Sequence, residues 1–231
     1  IVGGSSDIAK STISSMSADN YKFHVLVRDD SHTDELSALG VSVVLGDATS
    51  EEDIKNFISG VKESGEIHAI LHCVGSFAVR PPHAMNKEAF ETVISTNLTS
   101  AFLTLSIAGK AMLSQGYGRM VFMSSVAGSL GLVNHEAISA AKGGIESMVR
   151  SAAATYANRG LRINAVAPGL TDTKLASPIM SNETASQAAS QKIPIKRVGQ
   201  KEEVANVIKW LLTEAPENFT GQILHTDGGM S

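Results

Sequence analysis

The sequence predicts a doubly wound α/β domain, with a parallel sheet and helices on both of its faces. Short apolar runs of strand length recur at residues 23–27, 41–45, 69–74, 119–124, 162–166 and 222–225. The segments between them are too long for two-residue hairpins and long enough for the crossover helices that join parallel strands. No Pro/Gly-rich linker divides the 231 residues, so we expect one Rossmann-type domain over residues 1–231.

Two of the connecting segments carry clear helical periodicity. Apolar residues recur every three or four positions over residues 88–115, and again over residues 136–158. The second segment is rich in alanine and glycine, and small residues let backbones approach closely. We therefore expect this helix to pack tightly against a neighbour.

The chain opens on Ile1 and Val2, which are followed at once by Gly3 and Gly4. This order is typical of the end of a strand that enters a glycine-rich turn. The first strand of a doubly wound sheet is central. We therefore expect the natural chain to start several residues earlier.

Composition argues against several classes of function. The net charge is −4 and no Lys/Arg block is present, so we expect neither nucleic acid nor an anionic membrane as a partner. The longest apolar runs have only the length of a strand, so we expect no membrane-spanning segment. The histidines show no ligand spacing, so no metal site is expected. The single cysteine, Cys73, excludes an internal disulfide and fits a reducing, cytoplasmic compartment.

The turn at residues 3–9 is the first candidate site. Backbone N–H groups at a helix start, together with the helix dipole, bind phosphate. Gly3 permits the tight turn, but the carboxylate of Asp7 could cap the helix and compete for the same N–H groups. The alternative is a plain capped turn. The place of this turn, between the first strand and the first helix, favours a phosphate site.

Arg28 follows the apolar run at residues 23–27. An arginine at this point can pair with the 2′-phosphate of NADP, whereas an acid would bind the ribose hydroxyls of NAD. Asp29 and Asp30 could neutralise Arg28, or one of them could bind the ribose. The sequence therefore favours NADP(H) over NAD(H) only slightly.

Further candidates follow later strands. Asp47, Ala48, Val74 and Gly75 come at strand ends, where ligands of such folds bind. Asn97 is a polar residue in an apolar helical stripe, and its burial would require hydrogen-bond partners.

Ser125 and Lys142 complete the candidate set. Ser125 follows a strand, where its hydroxyl could meet a substrate. Lys142 shares a helix face with Ile138, and by spacing alone we would interpret it as a snorkelling surface lysine.

Taken together, these residues resemble the short-chain dehydrogenase/reductase family over nearly the whole chain. The most specific stretches are RINAVAPG at residues 162–169, residues 171–173 and TGQILHTDGG at residues 220–229. The C-terminal half is similar to bacterial enzymes related to the β-ketoacyl carrier-protein reductases.

The resemblance implies an NAD(P)(H)-dependent oxidoreductase for a carbonyl or alcohol substrate, assembled as a homodimer or homotetramer. It implies that Ser125 orients the substrate carbonyl, that Lys142 binds the nicotinamide ribose, and that Asn97 holds a water in a proton relay. With the turn and Arg28 included, the expected cofactor-binding residues are Gly3, Ser5, Ser6, Ile8, Arg28, Asp47, Ala48, Val74, Gly75, Lys142, Pro168, Gly169, Thr171 and Thr173.

Three departures from the family pattern stand out. Asp7 and Ala9 replace the second and third glycines of the turn, and HCVG at residues 72–75 replaces Asn-Asn-Ala-Gly. Most importantly, the family's Tyr-x-x-x-Lys reads ISAAK at residues 138–142. Ser125 lies thirteen residues before Ile138, at the family spacing, so the register is fixed.

Carbonyl reduction needs a proton donor, and isoleucine has none. The substitutes we consider are His135, whose alternative is a helix-cap residue, and a water held by Ser125 and Lys142. The alternative functions are a catalytically impaired member that binds dinucleotide as a sensor or assembly subunit, and a structural partner that binds no nucleotide. We expect residues 172–200 to cover the substrate.

Overall fold

The structure is a computed structural model that describes residues 1–231, and its centre is a parallel sheet. Six of the strands match the six predicted runs, and each of their ends lies within two residues of the predicted one. A further pair of two-residue strands was not expected. The strands are β1 (His24–Val27), β2 (Ser42–Leu45), β3 (Ala69–His72), β4 (Gly118–Met123), β5 (Leu161–Pro168), β6 (Thr171–Asp172), β7 (Gly199–Gln200) and β8 (Ile223–Thr226).

Helices connect these strands as crossovers, which confirms the predicted α/β fold class. β1 pairs with β2, and β3, β4, β5 and β8 pair in that order, all in parallel. The helices are α1 (Asp7–Ser15), α2 (Thr33–Ala38), α3 (Glu51–Glu63), α4 (Lys87–Ile94), α5 (Ser100–Gln115), α6 (Glu136–Tyr156), α7 (Ser177–Met180), α8 (Glu183–Lys192) and α9 (Lys201–Thr213).

Val2 joins the two groups of strands into one sheet. It forms parallel bridges with Leu26 of β1 and with His72 of β3. Its N–H donates to Leu71 O at 2.9 Å, and its carbonyl accepts from Cys73 N at 2.8 Å. The chain moves outward from Val2 first to β1 and β2 and then, on the other side, to β3. The strand order therefore reverses at Val2, and this is where such sheets bind ligands.

The helix predicted over residues 88–115 is interrupted by a π-helical segment, Ser95–Thr99, which lies between α4 and α5. By length and mean hydropathy alone, Lys87–Gln115 is long and apolar enough to cross a membrane. In the fold, however, α5 packs against α3 and the central strands, and α4 packs against α6. The apolar character of this helix is thus used for internal packing.

The small residues of α6 bring it close to its neighbour, as the sequence predicts. A Cβ atom on Gly144 would lie 2.8 Å from a methyl carbon of Leu98, which belongs to the π-helical segment. A side chain at this position would force Leu98 to move. Gly144 therefore allows α6 to lie close to the segment that carries Asn97.

Candidate functional site

A cavity of about 470 Å³ opens at the carboxyl edge of the sheet, beside the point where the strand order reverses. It brings together twelve of the residues predicted to bind the cofactor or to act in catalysis, although they come from six separate parts of the chain. These residues are Ser6, Ile8, Val74, Gly75, Asn97, Ser125, His135, Lys142, Pro168, Gly169, Thr171 and Thr173.

The glycine turn forms one end of this site. Gly3 has a φ of +85°, and a Cβ atom on it would lie 2.8 Å from Val74 N, so only glycine fits here. The N–H groups of Ser5, Asp7 and Ile8 make no hydrogen bond within the protein. Unpaired N–H groups at the start of a helix are the donors that a phosphate uses.

Asp7 does not compete for these N–H groups, so the expectation that it caps α1 was wrong. The N-cap residue is Ser6, and no side chain caps the helix. The Oδ2 atom of Asp7 instead accepts a hydrogen bond from Lys174 N at 2.6 Å, and its Oδ1 atom lies 3.4 Å from Lys10 Nζ. Burial opposes ionisation, but the Lys174 N–H and Lys10 outweigh it and lower the pKa of Asp7.

Lys142 is buried rather than snorkelling, with 6% of its surface exposed. Its Nζ atom donates to Met123 O at 2.8 Å, at the end of β4. A Cβ atom on Gly75 would lie 3.6 Å from Nζ, so the ammonium group is next to the Gly75 backbone. Burial lowers the pKa of Lys142 to about 8, so this amine releases a proton more readily than an exposed lysine.

Asn97 is fully buried and has the partners that its burial requires. Its Nδ2 atom donates to Val93 O and to Ser76 Oγ, both at 2.9 Å, and its Oδ1 atom accepts from Ser76 N at 3.2 Å. The π-helical segment carries Asn97, and such segments are frequent at functional sites. Ser76 escaped the sequence analysis because it lies outside every motif.

Ser125 caps a short helical turn, Val126–Gly128, and its Oγ atom accepts from Ala127 N at 3.2 Å. The hydroxyl proton has no partner in the protein, so it is free to donate to a ligand oxygen. The preceding Ser124 points the other way, and its Oγ atom donates to Glu146 Oε1 at 2.9 Å. Glu146 also went unnoticed in the sequence. Its position four residues after Lys142, on the same helix face, was the available signal.

Ile138 lies at the cavity surface within an apolar cluster. Its buried neighbours there are Val93, Ala127 and Ala137. None of these side chains can donate or accept a proton, and neither can Ile138 itself.

His135 is the N-cap residue of α6 and also lines the cavity. Its Nδ1 atom lies 2.7 Å from Val133 O, and a carbonyl oxygen only accepts, so Nδ1 carries a proton. To act as an acid toward a ligand, the ring must therefore be doubly protonated, with the second proton on Nε2. His135 thus occupies the helix-cap position that the alternative interpretation predicted, although its side chain makes no cap bond to α6.

Arg28 lies outside the cavity, directly after β1, and 82% of its side chain is exposed. Its Nε atom is 3.9 Å from Asp29 Oδ2, the outer limit of an ion pair. Asp29 uses its other oxygen to accept hydrogen bonds from Ser31 N and Ser31 Oγ, and these bonds lower the pKa of Asp29. Asp29 thus stabilises the turn at Ser31, and the Arg28 guanidinium group is left with only a weak ion pair.

Asp47 and Ala48 also lie outside the cavity, after β2. The Oδ1 atom of Asp47 accepts from Thr49 N and Thr49 Oγ1, both at 2.8 Å, and Asp47 N donates to Asp53 Oδ2. Because β1 and β2 are parallel neighbours, Arg28 and Asp47 share one edge of the sheet. Both are placed to extend the site away from Lys142.

Two of the three residues that depart from the family pattern before Gly75, His72 and Cys73, are ionisable but uncharged near neutral pH. His72 is fully buried with Nε2 3.1 Å from Ser100 Oγ, and burial lowers its pKa to about 3. Burial raises the pKa of the Cys73 thiol to about 12. Neither side chain adds charge beside Lys142. No group of three or more His, Cys, Asp or Glu residues could hold a metal ion.

The far wall of the cavity is mostly apolar and comes from the segment that we expected to cover a substrate. Helices α7 and α8 supply most of this wall. The contributing residues are Leu175, Ala176, Ile179, Ala185, Ala188, Ala189, Lys192 and Ile193.

Comparison with known proteins gives a consistent result. A family model described as enoyl-(acyl carrier protein) reductase matches residues 3–231. The 3-oxoacyl-(acyl-carrier-protein) reductase MabA of Mycobacterium bovis is 32% identical over 231 residues, which is 100% of this chain and 91% of that protein.

Solved structures agree in fold. A short-chain type dehydrogenase/reductase from Mycobacterium ulcerans superposes with a TM-score of 0.93 at 27% identity, covering 99% of this chain and 87% of that one. The structure of ElxO with NADP bound gives a TM-score of 0.92 at 26% identity, covering 99% and 96% of the two chains.

Proposed function

The chain belongs to the short-chain dehydrogenase/reductase family, and from this premise we propose that it is an NAD(P)(H)-dependent oxidoreductase for a carbonyl or alcohol substrate, with an atypical proton donor. The family pattern is retained at Asn97, Ser125 and Lys142. It is lost at Ile138, where the usual tyrosine would supply the proton.

One observation carries the proposal. The buried Lys142 ammonium group and the Asn97 amide meet at Gly75, in the same cavity that receives Ser6 and Ile8 of the glycine turn. The unpaired N–H groups of the turn fit a pyrophosphate, and Lys142 fits a ribose hydroxyl. When bound there, a nicotinamide dinucleotide would supply or accept the hydride.

The proton needs another source, because Ile138 offers none. We propose a water held between the Ser125 hydroxyl and Lys142 Nζ. Ser125 has a free hydroxyl proton, and the pKa of Lys142 is lowered to about 8, so this pair can pass a proton to a carbonyl oxygen near neutral pH. His135 remains the second candidate, because its Nε2 atom is unused.

We propose that NADP(H) is preferred over NAD(H). The exposed Arg28 guanidinium group is paired only weakly, because Asp29 is occupied by Ser31. A free guanidinium group at this strand end binds a 2′-phosphate better than it binds ribose hydroxyls. The structure of ElxO with NADP bound is a similar protein in which this cofactor is present.

We propose that the substrate is a neutral, mostly apolar carbonyl compound. The wall opposite Lys142 consists of leucine, isoleucine and alanine side chains from α7, α8 and the loop before α7. Lys192 is the only charged side chain that this wall contributes, and it is exposed. A carboxylate-bearing substrate would therefore find little inside the wall to pair with it.

The test is a screen of NADPH oxidation against ketones and quinones, with Ser125→Ala and His135→Ala measured alongside. If the water relay operates, Ser125→Ala lowers kcat by roughly 10²-fold or more and His135→Ala has little effect. The reverse pattern assigns the acid to His135. No turnover with any substrate, or turnover that is indifferent to both variants, would reject the proposal.

The second candidate function is a member that binds dinucleotide without turnover, as a sensor or an assembly subunit. The apolar surroundings of Ile138 favour it, because they leave the site without its usual acid. Calorimetry with NADPH separates it from the third alternative, a partner that binds no nucleotide. Micromolar binding without turnover would support the sensor.

We also propose a homodimer or homotetramer, with α6 at one interface. Similar members of the family support assembly in general, and the exposed Ala140 and Ala154 of α6 present small side chains on its outer surface. Size-exclusion chromatography that shows only a monomer would contradict this proposal.

A further inference from the structure

Residues 174–192 form a segment that covers the cavity and is weakly attached to the rest of the protein. It comprises the turn Lys174–Ala176, helix α7 and helix α8. Ala176 is its only buried residue, and neither helix has a buried side chain. A segment with so little buried apolar surface contributes little free energy to its own closure.

The hydrogen bonds of this covering segment are almost all internal. Its backbone and side-chain bonds join residues within 173–196. The single exception is the bond from Lys174 N to Asp7 Oδ2, at 2.6 Å. No ion pair links the segment to any other part of the chain.

Asp7, the acceptor of this hydrogen bond, belongs to a well-packed part of the protein. It is the first residue of α1, which packs along α9. Its side chain is 10% exposed, and its second oxygen faces Lys10, which also pairs with Glu35 at 2.9 Å. An ionised acceptor that is mostly shielded from water makes a stronger hydrogen bond than a neutral, exposed one.

We propose that Asp7 is a latch: a positioning residue that fastens the covering segment to the glycine turn and so holds the cavity closed on that side. The Asp7–Lys174 hydrogen bond is the one polar link that must break for the segment to lift. Breaking it opens the apolar wall, and hence the route for a substrate. The inference does not depend on which reaction the site performs.

Hydrogen–deuterium exchange of the cofactor-free protein tests the latch. In Asp7→Ala, the amides of residues 174–192 should exchange about tenfold faster or more, the effect of losing a charge-assisted hydrogen bond. Peptides from α1, β4 and β5 should exchange at unchanged rates. Asp7→Asn keeps an acceptor oxygen without the charge, so it should restore part of the protection.

Glu35→Gln is the matched control, because it removes the other acid that pairs with Lys10. Glu35 makes no hydrogen bond or ion pair with the segment, and only the more distant charge of Lys174 acts on it, as one of the smaller causes of its lowered pKa. Glu35→Gln should therefore change exchange in residues 174–192 far less than Asp7→Ala does. Faster exchange in α1 as well as in the segment would mean that Asp7 only stabilises its helix.

Three results would overturn the proposal. They are a segment that is unprotected in the unmodified protein, equal exchange in Asp7→Ala and the unmodified protein, and the same acceleration in Glu35→Gln. If Asp7→Ala does not fold, Asp7→Asn decides the question, since it has nearly the same shape. Exchange of the segment at the unmodified rate in Asp7→Asn would then count against a charged latch.

Discussion

Two regions of the same cavity differ sharply in character. Around Gly75, the polar side chains of Asn97 and Lys142 are buried and hydrogen-bonded, and the partly buried Ser76 is a partner of Asn97. One helical turn before Lys142, Ile138 packs in a cluster with the buried apolar side chains of Val93, Ala127 and Ala137. In the proposed function, the first region binds and orients a ligand, whereas Ile138 supplies no proton.

The difference teaches that the hydrogen bonds of the polar region do not involve the side chain at position 138. Neither the lysine nor the asparagine takes a hydrogen bond from position 138. Their partners are Met123 O, Val93 O and Ser76, which come from β4, α4 and the loop after β3. Loss of a hydroxyl at position 138 therefore leaves the polar region intact.

The largest expected effect comes from restoring the missing acid. Ile138→Tyr should raise NADPH-dependent carbonyl reduction by about 10²–10⁴-fold, the usual contribution of a positioned general acid. Ile138→Phe is the control, since it adds the ring without the hydroxyl and should give no gain. Equal rates for the two variants, followed by NADPH absorbance, would show that a hydroxyl at position 138 does not restore the missing acid.

The next effect concerns the charge of Lys142. Its pKa is about 8 in the folded protein, against an ordinary value of 10.5. Between these pH values the unfolded chain binds a proton that the folded chain has released, so the free energy of unfolding rises with pH. Lys142→Met should reduce this rise between pH 8 and 10.5 by up to about 3 kcal/mol, measured by urea unfolding.

Lys192→Met is the matched control for that measurement. Lys192 also lines the cavity, but it is exposed. Its replacement should leave the pH dependence unchanged. If both variants reduced the rise in unfolding free energy with pH by a similar amount, the lowered pKa of Lys142 would not be the cause of that rise.

A smaller effect tests whether the polar region behaves as one network. Asn97→Ala should lower the free energy of unfolding by about 1–3 kcal/mol, because it leaves buried groups of Val93 and Ser76 unpaired. Combined with Ser76→Ala, the loss should be less than the sum of the two single losses. Additive losses in urea unfolding would indicate that the two side chains act independently.

The smallest effect lies at the far end of the site. Arg28→Ala should weaken NADPH binding by about tenfold and leave NADH binding unchanged, because the exposed guanidinium group is partly screened by water. Lys22→Ala removes the same charge at the opposite end of β1 and should weaken neither. Calorimetric titration measures all four affinities, and an equal loss for both dinucleotides would remove Arg28 from the 2′-phosphate site.

The sequence was most informative where a local pattern determines the structure. Apolar runs located the six main strands, and the small residues of α6 predicted the close contact that Gly144 makes with Leu98. The family resemblance, and not spacing alone, indicated that Ser125 and Lys142 belong to the site, and both line one cavity together with Ile138. Their assigned roles in binding and catalysis stay predictions.

Contacts between distant residues were beyond such patterns. Asp7 looked like a helix cap because capping is a local interaction, but its partner Lys174 lies 167 residues away. The π-helical segment was hidden because the apolar stripe continues on both sides of it. The two-residue strands β6 and β7 carry no periodicity at all, so only the folded chain reveals their pairing.

The contact between Gly144 and Leu98 has a consequence for how this protein can change. Gly144 allows the close approach of the segments that carry Lys142 and Asn97, and it projects about a third of a turn away from residue 138 on α6. The packing of α6 against the Asn97 segment thus uses one side of the helix, and residue 138 faces the cavity from another. New side chains can therefore be tried at position 138, by selection or by engineering, without rebuilding that packing.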